Sequence, residues 1–407
     1  MRGYFAYRSL ALTWAFMPFQ VLFLESRGLS LGDVLDLNVV FTLATVALEV
    51  PTGVFADRYG RRRAMALGGL VMTAACALFV VGGSLWVYAA ANALAALSMT
   101  LASGADSAWL HDYLAAQNLS DRYNHHEGLS TAAKGIGNLL AVLVGGVLYS
   151  VWPASVFVFT GALTAASAAL ALRLPESHAT VRGTNAREHF LRAVSTLQRD
   201  PRLTSVMLFG ALTFVLFRVS LFTDQPHLEI HLTGPWVGHL ALAAALLAAA
   251  KEIGGAAIAF YSGPLQDRVA TKILVPGLAV LAVGVYALMG RGNAALDIAL
   301  MVILSSAFGL FSPLMRSVMN RLIIDSRDRA TLLSFESMGR RLLFALASPL
   351  FGRAVEGSSL HATFTGTAWV AAVGYIALGV VAFGLFRIPV ARDPEPGVRT
   401  SAVASLV

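Results

Sequence analysis

Gly53-Val-Phe-Ala-Asp57-Arg58-Tyr59-Gly60-Arg61-Arg62 is a polar island in an otherwise apolar chain. Its pattern, G-x-x-x-D-R-x-x-x-[RK], returns as Gly263, Asp267, Arg268 and Lys272 at an offset of 210 residues. The same shift carries Arg8 onto Arg218 and sets Asp106 opposite Arg316. Because only 13% of the residues are charged, such a coincidence points to internal duplication, two halves built to one plan.

Outward from the island, stretches of the ~17–25 apolar residues that cross a bilayer number twelve, at 4–25, 33–56, 64–84, 87–113, 127–150, 154–173, 204–231, 238–262, 272–290, 295–318, 331–352 and 365–387. The long polar interruption Leu174–Leu203, rich in arginine, divides them six and six. The expected organisation is therefore an N-terminal six-helix bundle (1–173), a basic linker (174–203), a second bundle (204–387) and a tail (388–407). Composition agrees. At 57% hydrophobic residues and mean hydropathy +0.69, the chain is well above the ~45–50% apolar share of soluble proteins. The spans consume the length and leave no room for a large soluble catalytic domain. Leu67–Gly83 and Ile273–Met289 are apolar on every face, whereas a barrel strand alternates, so the spans are helices and the fold class is all-α. Gly3–Glu25 reads as the first span and not as a leader. A lone cysteine, Cys76, excludes an internal disulfide framework or a cysteine metal site.

The net charge of +7 follows the loops rather than forming a nucleic-acid patch. One set of alternate loops collects 20 Lys and Arg, the other only Arg27, Arg291 and Arg353. By the positive-inside rule, both termini and the linker are expected in the cytoplasm, with the protein in the plasma (cell inner) membrane. Seven cations remain inside spans: Arg8, Lys134, Arg218, Lys251, Arg316, Arg340 and Arg341. Each is costly in hydrocarbon unless paired or wet.

The island closely resembles the signature between the second and third helices of the major facilitator superfamily. The likeness extends over the whole chain, with twelve spans, six plus six, a basic central loop and a degenerate second copy of the signature. It implies two pseudo-symmetric bundles and alternating access around a cavity lined by spans 1, 4, 7 and 10. It also implies gating roles for Gly53, Asp57, Arg58, Gly60, Arg61 and Arg62 and for Gly263, Asp267 and Arg268. Asp57 would face the positive dipole end of span 11, Asp267 would face span 5, and the pair of contacts would latch the outward-open state. Gly53 is expected at a close helix approach. Antiporters of the superfamily often carry G-x8-G-x3-G-P-x2-G-G in span 5; Gly135 to Gly146 keeps the final glycine pair and lacks the proline. Glu49-Val-Pro51-Thr52-Gly53, the Ser103–Asp112 stretch and Arg329–Ser337 resemble a bacterial drug- or metabolite-exporter-like subgroup.

Ionisable groups at depth are functional candidates by default. Lys251 and Glu252 lie ~15–20 Å from either end of span 8 by helical rise and diverge by ~100°. Each therefore needs its own partner, and Glu252 is expected to face the cavity or span 5. Glu252, Asp106 and Glu49 are the candidates for carrying a proton. Arg8, Trp14, Gln20, Arg218, Asp224 and Arg316 are candidates for touching substrate, with Phe16, Phe19, Phe214, Phe217 and Phe222 as further aromatic lining. His125-His126-Glu127 lacks the second histidine one turn on that H-E-x-x-H requires, and no P-loop is present. No metal, cofactor or enzymatic activity is expected.

The resulting expectation is secondary active transport, a proton-coupled export of an amphipathic small molecule by a monomer in the lipid bilayer. The alternatives are proton-coupled uptake of a polar metabolite and a non-transporting membrane enzyme or receptor on the same scaffold. Topology is directly testable: a reporter fused after Arg187 should read cytoplasmic and one at Gly234 external, and an external reading at Arg187 inverts the scheme.

Overall fold

The computed structural model describes residues 1–176, 197, 200–232, 239–323 and 329–379. Most of the linker 174–203, with Arg182, Arg187, Arg192 and Arg199, lies outside the described residues, as do Gly234, Arg327, the end of span 12 and the tail 388–407. Among the described residues there are helices and no strands. Ten of these helices are long and apolar enough to cross a membrane.

The repeat read from the sequence is visible in the helices. Span 2 runs Leu31–Tyr59 and span 8 Leu240–Arg268; span 3 runs Arg61–Val81 and span 9 Thr271–Met289. Both pairs keep the 210-residue offset to within about two residues. Packing repeats as well. Within the first half span 3 packs on span 6 (Ser155–Leu172) and span 2 on span 4; within the second, span 9 packs on span 12 (Leu360–Gly379) and span 8 on span 10 (Ala294–Leu322). Across the halves, span 2 meets span 11 (Arg329–Gly357) and span 8 meets span 5 (Tyr123–Val151).

Two spans depart from single helices. Span 1, expected continuous over 4–25, is Arg2–Leu10, a 3-10 turn at Met17–Phe19 and Gln20–Glu25. Leu12 takes φ 56°, and Pro18 has no N–H to give a helix. The break survives because Gln225, on span 7 (Pro201–His231), mends it. Its Nε2 donates to the Pro18 carbonyl, and its Oε1 accepts from the Leu22 N–H at 2.8 Å. Freed backbone groups within a membrane need such partners. Span 4 is Leu85–Ala102 and Ala105–Ala116, jointed at Gly104 with φ +89°.

The halves touch on the side away from the linker. There the Glu356 carboxylate accepts the Gly32 N–H at 2.8 Å and Arg353 lies 3.7 Å from Asp36. On the same side Gly146 approaches span 8 so closely that an added Cβ would sit 2.6 Å from Ala245 Cβ, while Gly145 faces the Ala15 carbonyl of span 1. Gly145-Gly146 is therefore a packing surface. The close approach expected at Gly53 is not seen among the described residues: an added Cβ there, or at Gly263, meets nothing within 4 Å.

Gly146→Leu should wedge spans 5 and 8 apart on that side, since an over-filled contact costs about 1–3 kcal/mol. Spin labels at Val147 and Leu242, both exposed, should move apart in this variant; an unchanged distance distribution would remove Gly146 from the closure.

Candidate transport site

The charges inside the spans form three groups. In the first half, Arg8 and Asp106 are both buried and ion-paired, beside the two helix breaks. Asp106 opens the helix Ala105–Ala116, where the positive dipole end favours a carboxylate, and its Oδ1 accepts the Ser107 N–H at 2.7 Å. Glu127 stands 4.0 Å from Arg8 and accepts from Ser107 Oγ at 3.1 Å.

The second group joins the halves. Lys251 is buried and its Nζ donates to Asp224 at 2.5 Å. Glu252 turns the other way, towards span 5, where Asn138 Nδ2 donates to it at 3.2 Å and Lys134 lies within electrostatic reach. The adjacent pair thus diverges as the helical angle requires, Lys251 into its own half and Glu252 across the interface. On the opposite interface Glu49, about half exposed, takes Arg341 of span 11 at 3.4 Å.

The third group is cationic. Arg218, half-buried, has no hydrogen bond or ion pair among the described residues, and the charge that acts on it is that of Arg341. Arg340 pairs with buried Glu336 at 3.4 Å and lies over the Phe214 ring at 5.3 Å. Arg316 is exposed and within reach of Glu336. Arg218, Arg316, Arg340 and Arg341 outnumber the acids among them, Glu336 and Glu49.

Of the expected aromatic lining, Phe16, Phe19, Phe217 and Phe222 are buried in packed protein. Trp14 packs edge-on to Phe41, and Gln20 is buried. Phe214 and Phe308 remain half-exposed, 6.0 Å apart. Residue-by-residue reading of the sequence passed over Gln225, Asn138, Glu127 and Glu336 as site residues; Lys134, Arg340 and Arg341 were flagged only as intramembrane cations.

The signature itself divides. Gly60 needs its positive φ of +100° and leaves no space for a Cβ beside Glu176. Arg61 pairs with Asp112 at 2.6 Å and Arg62 with Glu176 at 2.8 Å. Arg62 also donates to the Leu174 carbonyl at 3.3 Å, and Trp109 to that of Pro175 at 2.9 Å, so the start of the linker is bound to the first bundle. Asp57, Arg58, Asp267 and Arg268 are exposed, and no ion pair holds them among the described residues.

Two pseudo-symmetric helical bundles, packed through spans 2 with 11 and 5 with 8 around intramembrane charge, have the architecture of a membrane transporter. The Major Facilitator Superfamily profile matches residues 6–250, and the chain belongs to that family. It is 24% identical over 328 residues to the class C tetracycline resistance protein of Escherichia coli, covering 78% of each chain. The nucleoside transporter NupG shares the fold, with TM-score 0.78, 14% identity, and 93% of this chain and 97% of that one covered. A bacterial homologue of the human lysosomal transporter Spinster, inward-facing and occupied, gives TM-score 0.68 at 16% identity, covering 93% and 94%.

Losing one member of a buried ion pair costs about 3–5 kcal/mol, whereas removing both can be near neutral. Lys251→Met should therefore lower the unfolding temperature in detergent, and adding Asp224→Asn should restore much of it; additive losses would show that the pair is not coupled.

Proposed function

We propose that this transporter exports an amphipathic anion in exchange for protons, with the linker and termini in the cytoplasm of a plasma (inner) membrane and the 1–173 and 204–387 bundles rocking about the charges between them. The observation that carries the reading is Arg218, a cation deep in span 7 with no acid paired to it among the described residues and Arg341 for a neighbour. Arg341 is already taken up by Glu49, so the positive charge left without a partner among the described residues is that of Arg218, and an unpaired cation at depth favours an anionic guest. Phe214 and Phe308 offer the adjoining apolar surface. Export is supported by the likeness to a tetracycline resistance protein, since removal of a drug is one way to resist it.

Glu252 is the proposed proton carrier. Asp106 is locked by Arg8 and the Ser107 N–H, and Glu49 is tied to Arg341, whereas Glu252 accepts one neutral hydrogen bond across the span 5–8 interface. Protonation would cancel its attraction for Lys134 and so loosen the contact on which the halves move.

Stabilisation by a ligand present at about 100 times its Kd is about 2.7 kcal/mol. Aromatic carboxylates should therefore raise the unfolding temperature of the purified protein where their neutral amides do not, and Arg218→Gln should remove the difference. Equal shifts for acids and amides would dismiss the anionic site. Once a ligand is found, Glu252→Gln in proteoliposomes should abolish ΔpH-driven accumulation and keep energy-independent exchange. If the Gln variant still concentrates the compound, Asp106 takes the role. Everted vesicles that fail to accumulate the compound while whole cells do would turn the direction to uptake.

A further inference from the structure

Away from the transport site, the end of the second bundle opposite the linker gathers three histidines and an acid from three spans. His227 and His231 stand one turn apart at the end of span 7, Asp297 lies in the first turn of span 10, and His361 in the first turn of span 12. One donor atom from each of His227, Asp297 and His361 lies within 4.8 Å of the others. His231 Nε2 is 3.0 Å from Asp297 Oδ2, and His361 Nε2 is 3.9 Å from the same oxygen.

We propose that His227, Asp297 and His361 form a binding site for a transition-metal dication of the zinc class, with His231 as fourth ligand or as the group that orients Asp297.

Three observations carry this. His227 is fully buried, and its Nδ1–H donates to the Thr223 carbonyl at 2.8 Å. That bond fixes the tautomer that leaves the Nε2 lone pair bare, as the outer hydrogen bond of a metal-bound histidine does. His227 Nε2, Asp297 Oδ1 and His361 Nε2 are all buried without a hydrogen-bond partner among the described residues, although buried polar atoms are ordinarily satisfied. Finally, Asp297 is completely buried, and its ion-pair partners among the described residues are histidines alone. A buried carboxylate needs a compensating charge, and a dication held by neutral imidazoles supplies it.

Imidazole nitrogen with carboxylate oxygen suits zinc, cobalt, nickel or iron rather than calcium or magnesium. Tetrahedral ligands about 2.0 Å from zinc lie about 3.3 Å apart, so modest side-chain rotations close the present spacing. Gly292, with φ +71°, passes directly beside the His361 ring, and Phe364 covers His227 edge-on at 4.9 Å. The shell is thus part backbone, part apolar. A bound ion would staple spans 7, 10 and 12 two residues beyond Gln225, the side chain that bridges span 7 to span 1.

The test uses the full chain, purified without a histidine tag and freed of metal with a chelator. Zinc alone is titrated in competition with a chromophoric chelator, and cobalt is added as a spectroscopic probe. One zinc per chain is expected, with intense visible cobalt bands of a four- or five-coordinate ion and a zinc-dependent rise in unfolding temperature. His227→Gln/His361→Gln should weaken zinc by more than the roughly 10–100-fold cost of losing an outer partner, whereas His125→Ala/His126→Ala should leave it unchanged. Should the double variant not fold, His361→Gln alone, at a partly exposed position, gives the same reading. Absence of stoichiometric zinc binding by the native chain, or binding unaffected by the His227 and His361 changes, overturns the proposal.

Discussion

In hydrocarbon a polar group has no water to turn to, and this constraint explains most of what the helices do here. Where span 1 loses its helix, the orphaned Pro18 carbonyl and Leu22 N–H are taken by a single amide, Gln225, from the other half. Where span 4 breaks, the new helix start is occupied by Asp106, and Asp106 by Arg8. Irregular backbone at membrane depth is thus made tolerable by side chains, and one of these repairs places the Arg8–Asp106 pair inside the first half.

The two interfaces between halves follow one plan with different chemistry. Spans 2 and 11 are joined by Glu49 with Arg341 near the middle and by Glu356 with the Gly32 N–H at the end. Spans 5 and 8 are joined by Asn138 with Glu252 near the middle and by Gly146 against Ala245 at the end. Both interfaces carry a polar contact near the middle, but at the end one closes through a carboxylate on a backbone N–H and the other through the small residues Gly146 and Ala245.

Much of the fold was legible because hydrophobic length and charge spacing survive without tertiary information. The 210-residue offset located spans 2, 3, 8 and 9 and paired the two polar islands. It fails further along: span 5 ends at Val151 and span 11 at Gly357, a separation of 206. At the sequence offset Lys134 aligns with Phe344, and at the structural one with Arg340, so the correspondence of two intramembrane cations was hidden. The divergence of Lys251 from Glu252 was readable, since helical geometry alone dictates it. The break in span 1 was not, because its residues are as apolar as a helix would require and its only local sign was Pro18. The histidine cluster was equally hidden: its members come from three spans, and an i,i+4 pair near a helix end has no meaning until Asp297 and His361 are placed beside it.

The binding of the linker's first residues to the opening signature has a mechanical side. Arg62 holds Glu176 and the Leu174 carbonyl, and Trp109 holds that of Pro175, so the strap between the bundles is tied off beneath the first one instead of leaving it freely at the end of span 6. The connection between the bundles is thereby anchored to the first one as far as Glu176. The same arginine that belongs to the repeated signature is thus also the fastening by which the first bundle holds the chain that leaves it.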